Sequence, residues 1–116
     1  MLNFTTATKI FLACEKTDMR KGMGSLSALT QENPVSQLSD GSVFAFRGKR
    51  ADRIKILFWD GQGYCLFSKR LERGKFFWPS SESKAWIRLT GAQLSMLMEG
   101  VDWRNPQWSA PPSVIA

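Results

Sequence analysis

Two strand-like runs joined by a short glycine-rich turn constrain the fold of this chain more than any other feature. Residues 53–59 and 64–70 are short runs rich in apolar and aromatic side chains, and in a β-strand successive side chains point to opposite faces. The intervening Asp-Gly-Gln-Gly, residues 60–63, is typical of a tight hairpin turn. We therefore predict an antiparallel hairpin in which Trp59 faces Tyr64. A register shifted by two residues is equally compatible with the turn, and it divides the side chains between the faces in the same way.

The two faces of this hairpin differ in polarity. The apolar face, which we expect in the core, carries Ile54, Ile56, Phe58, Cys65 and Phe67, with Lys69 at its end. The other face, which we expect to be exposed, carries Arg53, Lys55, Trp59, Tyr64, Ser68 and Arg70, with Leu57 and Leu66 at its centre. An exposed Trp and Tyr beside apolar neighbours need a partner or a second layer of protein.

Other segments predict three more strands and two helices. The strand candidates are residues 9–13, 43–47 and 84–89. A first helix is predicted to begin at a cap formed by Thr17 or Asp18. A second helix is predicted to begin at the capping box of Thr90 and Gln93 and to end at Gly100. The expected fold class is α+β, with a mostly antiparallel, hairpin-rich β-sheet of about five strands and two flanking helices.

The length of 116 residues suits one domain with its own hydrophobic core. We expect a single α+β domain over residues 1–104, followed by a Pro-rich, flexible C-terminal tail over residues 105–116. No apolar run approaches the roughly 18 residues that a membrane span needs. Cys14 and Cys65 match no metal-ligand spacing, and we expect buried thiols in the reducing cytoplasm.

The positive charge of the chain is concentrated in its hairpin region. Between Arg47 and Lys75 the sequence holds nine basic and three acidic residues. This excess equals the net charge of the whole protein, +6, so the rest of the chain is neutral overall. A concentrated basic surface favours a polyanionic partner, and nucleic acid is the expected one. The alternative is an ordinary solvated sheet face, because strands commonly display Lys and Arg to water.

We predict that this region contacts DNA phosphates through basic side chains and bases or sugars through two aromatic ones. The predicted nucleic-acid-binding residues are Arg20, Lys21, Arg47, Lys49, Arg50, Arg53, Lys55, Trp59, Tyr64, Lys69, Arg70, Arg73 and Lys75. Arg20 and Lys21 are included because they are expected in a first helical turn, where cations oppose the helix dipole. A bound anion would explain them there, and pairing with Asp18 is the alternative.

Histidine is absent from the chain, which removes the commonest general base and the commonest zinc ligand. We therefore predict no catalytic residues, no metal site and no cofactor, and we expect a protein that is not an enzyme. A metal-dependent nuclease built on carboxylates such as Asp52 is the enzymatic alternative.

Three strings in this order carry a family resemblance: TDMRKG at residues 17–22, FRGKRADRIKILFWDGQGYCLFSKRLERGKFFWP at 46–79 and LTGAQLSMLMEGVDWR at 89–104. The chain resembles the TnpB accessory proteins, products of the second open reading frame of the "sixty-six" class of bacterial insertion sequences. The resemblance implies a role in transposition beside a separate DDE-type transposase, which would carry the strand-transfer chemistry.

The expected function is a non-catalytic accessory protein of DNA transposition. It would bind element-end or target DNA through the basic, aromatic-bearing sheet face and its turns. The alternative is a protein–protein adaptor whose basic aromatic face docks on the transposase of the same element, since Trp and Arg are common in such interfaces.

Overall fold

The computed structural model describes residue 4 and residues 7–34, 37–79 and 85–104. In these ranges the chain forms a five-stranded sheet, two α-helices and a short 3-10 helix at Leu38–Asp40. The strands are β1 (Ile10–Ala13), β2 (Val43–Arg47), β3 (Arg53–Trp59), β4 (Tyr64–Arg70) and β5 (Trp86–Leu89). The helices are α1 (Met23–Thr30) and α2 (Gly91–Met98).

The sheet is mixed, with the strand order β4-β3-β2-β1-β5. β2, β3 and β4 follow one another as an antiparallel meander. β1, however, runs parallel to β2, and β5 is antiparallel to β1 at the far edge. The α+β class is thus confirmed, whereas the mostly antiparallel, hairpin-rich sheet needs correction. One strand pairing is parallel, because α1 and the 3-10 helix form a crossover between β1 and β2.

The hairpin of β3 and β4 has the first of the two predicted registers. Trp59 lies opposite Tyr64. The carboxylate of Asp60 accepts hydrogen bonds from the backbone N–H groups two and three residues later, both at 2.9 Å. Gly61 has φ of 100°, a left-handed conformation that favours glycine. The turn residues therefore fix the register locally.

The hairpin face that was predicted to be exposed is covered at its centre, whereas Arg53, Tyr64, Ser68 and Arg70 towards its ends are exposed. Leu57 has no exposed surface, and it packs in a cluster with Leu26 of α1 and Phe44 of β2. Leu66 lies partly covered against the same cluster. The face bearing Leu57 and Leu66 is therefore closed at its centre. The β1–β2 crossover covers it, and this long-range contact has no local sequence signal.

The opposite face carries the larger core. Ile56 of β3 packs there with Leu97 of α2 and with Phe76 and Trp78 from the segment that follows β4. The indole Nε1 of Trp78 donates a hydrogen bond to the carbonyl of Ala13 at 2.7 Å. This contact ties the segment after β4 to the end of β1. The sheet is thus the middle of three layers.

Helix α1 begins later than predicted. Gly22 is its N-cap and Met23 its first residue, so neither Thr17 nor Asp18 caps it. In the sequence, Met19, Met23, Leu26 and Leu29 recur at helical spacing. Met19 nevertheless lies outside the helix, because residues 17–22 form a connection packed on the sheet. Apolar spacing in the sequence does not distinguish a side chain buried by a helix from one buried by an irregular connection.

Helix α2 follows its prediction. The Thr90 side chain accepts a hydrogen bond from the backbone N–H of Gln93, and the Gln93 side chain accepts one from the backbone N–H of Thr90. Gly100, with φ of 77°, follows the helix end. Both signals are local, which is why the sequence predicts them well.

Some expectations concern residues outside the described ranges. The tail at 105–116 is one, and Lys84 of the predicted fifth strand is another. No described helix combines the length and the apolar character needed to cross a membrane. Cys14 is buried as expected, Cys65 is only half-buried, and the two form no disulfide.

Leu57→Ala tests the burial of the sheet face that α1 covers. We expect a loss of about 2–5 kcal/mol in the free energy of unfolding, because the change leaves a cavity between the sheet and α1. Leu66→Ala, at the facing and partly covered position of β4, is the matched control and should cost less. Urea denaturation measures both. A Leu57→Ala loss below that of Leu66→Ala would contradict the arrangement.

Candidate functional site

A basic cleft lies at the end of the sheet where β2 ends and β3 begins. Its volume is about 540 Å³. Six cationic side chains line it: Lys16, Arg47, Lys49, Arg50, Lys75 and Arg104. Ala51 and the aromatic residues Phe76, Phe77 and Trp78 complete the lining. A second hollow of about 550 Å³ shares four of the cations and extends the basic cleft along the turn between β2 and β3.

Backbone hydrogen bonds fix the walls of the basic cleft. The N–H groups of Leu71 and Phe76 donate to carbonyls of the β2–β3 turn at 2.8 and 2.6 Å. They dock the segment after β4 onto this turn. From another side, the N–H of Thr17 donates to the carbonyl of Arg47 at 2.9 Å. Three segments that are distant in sequence therefore meet around one turn.

Ala51 gives this turn a strained backbone. Its φ is 60°, which makes it the one non-glycine residue with positive φ in the described ranges. Such a conformation is unfavourable by about 1–2 kcal/mol for a residue with a Cβ. Strained residues of this kind concentrate at functional sites. Ala51 is buried and lines the basic cleft, which supports a role for the cleft.

Most cations of the basic cleft have no acidic partner. Ion pairs within the described ranges number two, Asp18–Arg20 and Asp102–Arg104. No residue between Arg47 and Lys75 takes part in either. No ion pair among the described residues therefore neutralises the positive excess of this region, and four of its nine cations line the basic cleft around the β2–β3 turn.

Arg47 is the most recessed of the six cations, since it is half-buried and the other five are exposed. Its Nε atom is buried and has no hydrogen-bond partner. Burial also lowers the pKa of its guanidinium group. A buried N–H without an acceptor is unfavourable by roughly 1–3 kcal/mol.

Arg104 is the last residue that the structure describes, and its side chain lines the basic cleft. Its Nε lies 2.9 Å from Oδ1 of Asp102, and the hydrogen bonds between the two side chains lower the pKa of Asp102. Its Nη1 donates to the carbonyl of Trp78 at 3.3 Å. Its guanidinium carbon lies 5.3 Å from the ring centroid of Phe77. Arg104 is thus positioned by three different contacts.

The sequence prediction missed Arg104 and Lys16 as site residues. Both lie far along the chain from the hairpin, so no local charge pattern includes them. The one available signal was that Arg104 ends a string that carries the family resemblance.

The predicted binding residues separate into several groups. Four of them lie in the basic cleft: Arg47, Lys49, Arg50 and Lys75. Arg73 is exposed on the segment that forms one wall. Arg53 and Arg70 lie opposite each other on the α1 side of the sheet, where both are exposed. The structure therefore gathers part of the predicted set at one end of the sheet.

Lys55 and Lys69 are occupied by contacts within the protein. Lys55 Nζ donates to the carbonyl of Lys21 at 2.9 Å. Lys69 Nζ donates to the carbonyl of Met98, at the end of α2, at 2.7 Å. These two lysines stabilise the layers on the sheet, and they have fewer donors left for a ligand.

The two predicted aromatic residues lie at the other end of the hairpin. The rings of Trp59 and Tyr64 contact each other edge to face, with centroids 4.8 Å apart. Trp59 lies six positions after Arg53 along β3, a distance of about 20 Å at the rise of a strand. Trp59 and Tyr64 therefore do not share a local site with the basic cleft.

Arg20 and Lys21 precede α1 instead of lying in its first turn. The helix-dipole argument for a bound anion therefore does not apply to them. The alternative, pairing with Asp18, is what the structure contains. The Arg20 guanidinium makes a bidentate contact with the Asp18 carboxylate, and its Nη2 lies 2.8 Å from Oδ2.

The described part of the chain contains no group of three or more His, Cys, Asp or Glu side chains able to hold a metal ion. Asp52, the carboxylate considered for a nuclease, lies beside cations in the second hollow. The nuclease alternative therefore gains no support from this geometry.

Comparisons with known proteins give a consistent result. Residues 8–108 match the family model described as IS66 Orf2 like protein. The chain is 45% identical over 107 residues to the uncharacterized protein y4hO of Sinorhizobium fredii, which covers 92% of each chain. It is 35% identical over 103 residues to the uncharacterized protein y4jC of the same organism, covering 89% of this chain and 87% of the relative. No solved structure matches.

The Asp18–Arg20 pair predicts a pH response. Hydrogen bonds from Arg20 lower the pKa of Asp18 from 3.8 to about 2. The pairing therefore contributes to stability above the ordinary pKa, and the contribution is lost as the pH falls from about 4 to 2. In a carboxyl NMR titration, Arg20→Gln should raise the pKa of Asp18. Lys21→Gln, which removes a neighbouring charge without those hydrogen bonds, should change it much less. Equal shifts in the two variants would contradict the pairing.

Proposed function

We propose that this chain, which belongs to the IS66 Orf2-like protein family, is a non-catalytic accessory protein of transposition that binds DNA phosphates. The family supports the role in transposition. DNA binding is our inference from the charge and geometry of the basic cleft. The proposed DNA is that of the element ends or the target, and the proposed protein partner is the transposase of the same element.

The observation that carries the proposal is the set of unpaired cations around the β2–β3 turn. Like charges held close together repel, and no ion pair in the described part of the chain neutralises Lys49, Arg50 or Lys75. A polyanion removes this repulsion and releases its own counterions, which favours binding. The turn lies at the sheet end, so a DNA backbone can approach it without displacing either helix.

The structure also changes the predicted footprint. The basic cleft, together with exposed Arg53, Arg70 and Arg73, replaces the flat sheet face as the proposed contact surface. Lys55 and Lys69 are expected to contribute little, because their ammonium groups bind backbone carbonyls.

A salt series tests the proposal. Six neutralised phosphates predict that log affinity falls with log salt at a slope of about −5. Filter binding with element-end DNA and random DNA measures the slope and any sequence preference. Binding that is independent of salt would refute phosphate recognition. Retention of the transposase after nuclease treatment, without retention of DNA, would support the adaptor alternative.

A matched pair of double variants locates the contact. Lys49→Gln with Lys75→Gln removes two exposed charges from the basic cleft, and it should reduce the slope by about 2. Lys9→Gln with Arg88→Gln removes the same charge away from the basic cleft, at the start of β1 and on the edge strand β5. The second variant should leave the slope unchanged. Equal reductions would show an effect of net charge alone.

A further inference from the structure

The basic cleft combines charge with exposed apolar surface. The ring of Phe77 forms part of its wall, and this residue is 37% exposed although its neighbours Phe76 and Trp78 are buried. The Arg104 guanidinium lies over the Phe77 ring. An exposed ring with a guanidinium group over it, in a groove lined by cations, has the chemistry of a platform for an unpaired base.

A DNA duplex would use only part of this site. Its bases are stacked inside, so its outer surface offers phosphates and sugars but no flat apolar group for Phe77. The exposed cations Lys49, Arg50 and Lys75 can reach phosphates of any DNA. Arg47, with its buried Nε, is recessed behind them. Only a ligand that enters the basic cleft can reach both Arg47 and Phe77.

The size of the site agrees with such a ligand. A volume of about 540 Å³ falls within the range of small-molecule pockets and is ample for one nucleotide. The second hollow shares four cations with the first, so the positive track continues past the proposed nucleotide. A strand could therefore place one base in the basic cleft while its neighbouring phosphates follow the turn.

We propose that the basic cleft binds single-stranded DNA, with one base stacked on Phe77 and one phosphate accepting hydrogen bonds from the half-buried guanidinium group of Arg47. This inference rests on the proposed function and specifies the form of DNA that the site takes. Arg104 acts as a positioning residue, because its contacts with Asp102 and Trp78 hold its guanidinium over the ring.

The test compares a single-stranded oligonucleotide of about 12 nucleotides with the matching duplex, by fluorescence anisotropy on the full chain. We expect the single strand to bind more tightly. Phe77→Ala should weaken single-strand binding roughly 5- to 100-fold, the usual loss for one stacked base, and change duplex binding less than about twofold. Phe77→Trp should retain single-strand binding.

Two further variants make the test specific. Tyr64→Ala removes an aromatic side chain that is 48% exposed at the opposite end of the hairpin, and it should leave both affinities unchanged. Arg47→Lys keeps the charge but replaces the planar guanidinium and its several donors with one ammonium group. We expect it to weaken single-strand binding about tenfold while the salt slope stays the same, and thermal denaturation checks that the fold is retained.

The outcomes separate this inference from the proposed function. Duplex binding equal to or tighter than single-strand binding, with no effect of Phe77→Ala, would overturn the single-strand site and leave DNA binding intact. Loss of single-strand binding in Tyr64→Ala, and not in Phe77→Ala, would place the stacking site elsewhere. Absence of binding to either DNA would overturn both proposals.

Discussion

Because both faces of the sheet are covered by apolar clusters at their centres, the charged side chains of β3 and β4 lie towards the ends of the sheet or fold back onto the protein. Lys55 of β3 and Lys69 of β4, whose side chains start from opposite faces of the sheet, show how a lysine is accommodated there. Their apolar stems can cover core side chains, while each ammonium group ends on a backbone carbonyl. The cations of the β2–β3 turn and of the segment after β4 lie beyond the layers instead. The position of the basic cleft thus follows from the three-layer core.

Three unfavourable local features occur together at that end of the sheet. Arg53 faces Arg70 across two strands, Arg47 has a buried Nε without an acceptor, and Ala51 has φ of 60°. Local conflicts of this kind, placed side by side, are expected where function outweighs stability. A bound polyanion would relieve the first, since it screens the charges of the two facing arginines. The third fixes the shape of the turn.

How much the sequence could predict depends on the range of each interaction. The bounds of β2, β3 and β4 and the start of α2 were predictable, because alternation, turn residues and the capping box act within a few residues. The parallel pairing of β1, the cover over Leu57 and the late start of α1 depend on contacts between distant segments. For the same reason the sequence located Arg47, Lys49 and Arg50 within a basic region, yet could not bring Lys16 or Arg104 to them.

Residues 17–22 are one of the strings that carry the family resemblance. They contribute to the basic cleft through packing and not through charge. Thr17 binds the carbonyl of Arg47 through its backbone N–H. Met19 packs so closely on Gly48 that a Cβ there would lie 2.7 Å from Met19 Cγ. Gly48 is therefore required by the approach of Met19, and the β2–β3 turn is held from behind. Arg20 meanwhile is neutralised at the surface. The segment thus supports the turn whose side chains line the basic cleft. This packing explains its position beside the cleft, with no role for its own cations.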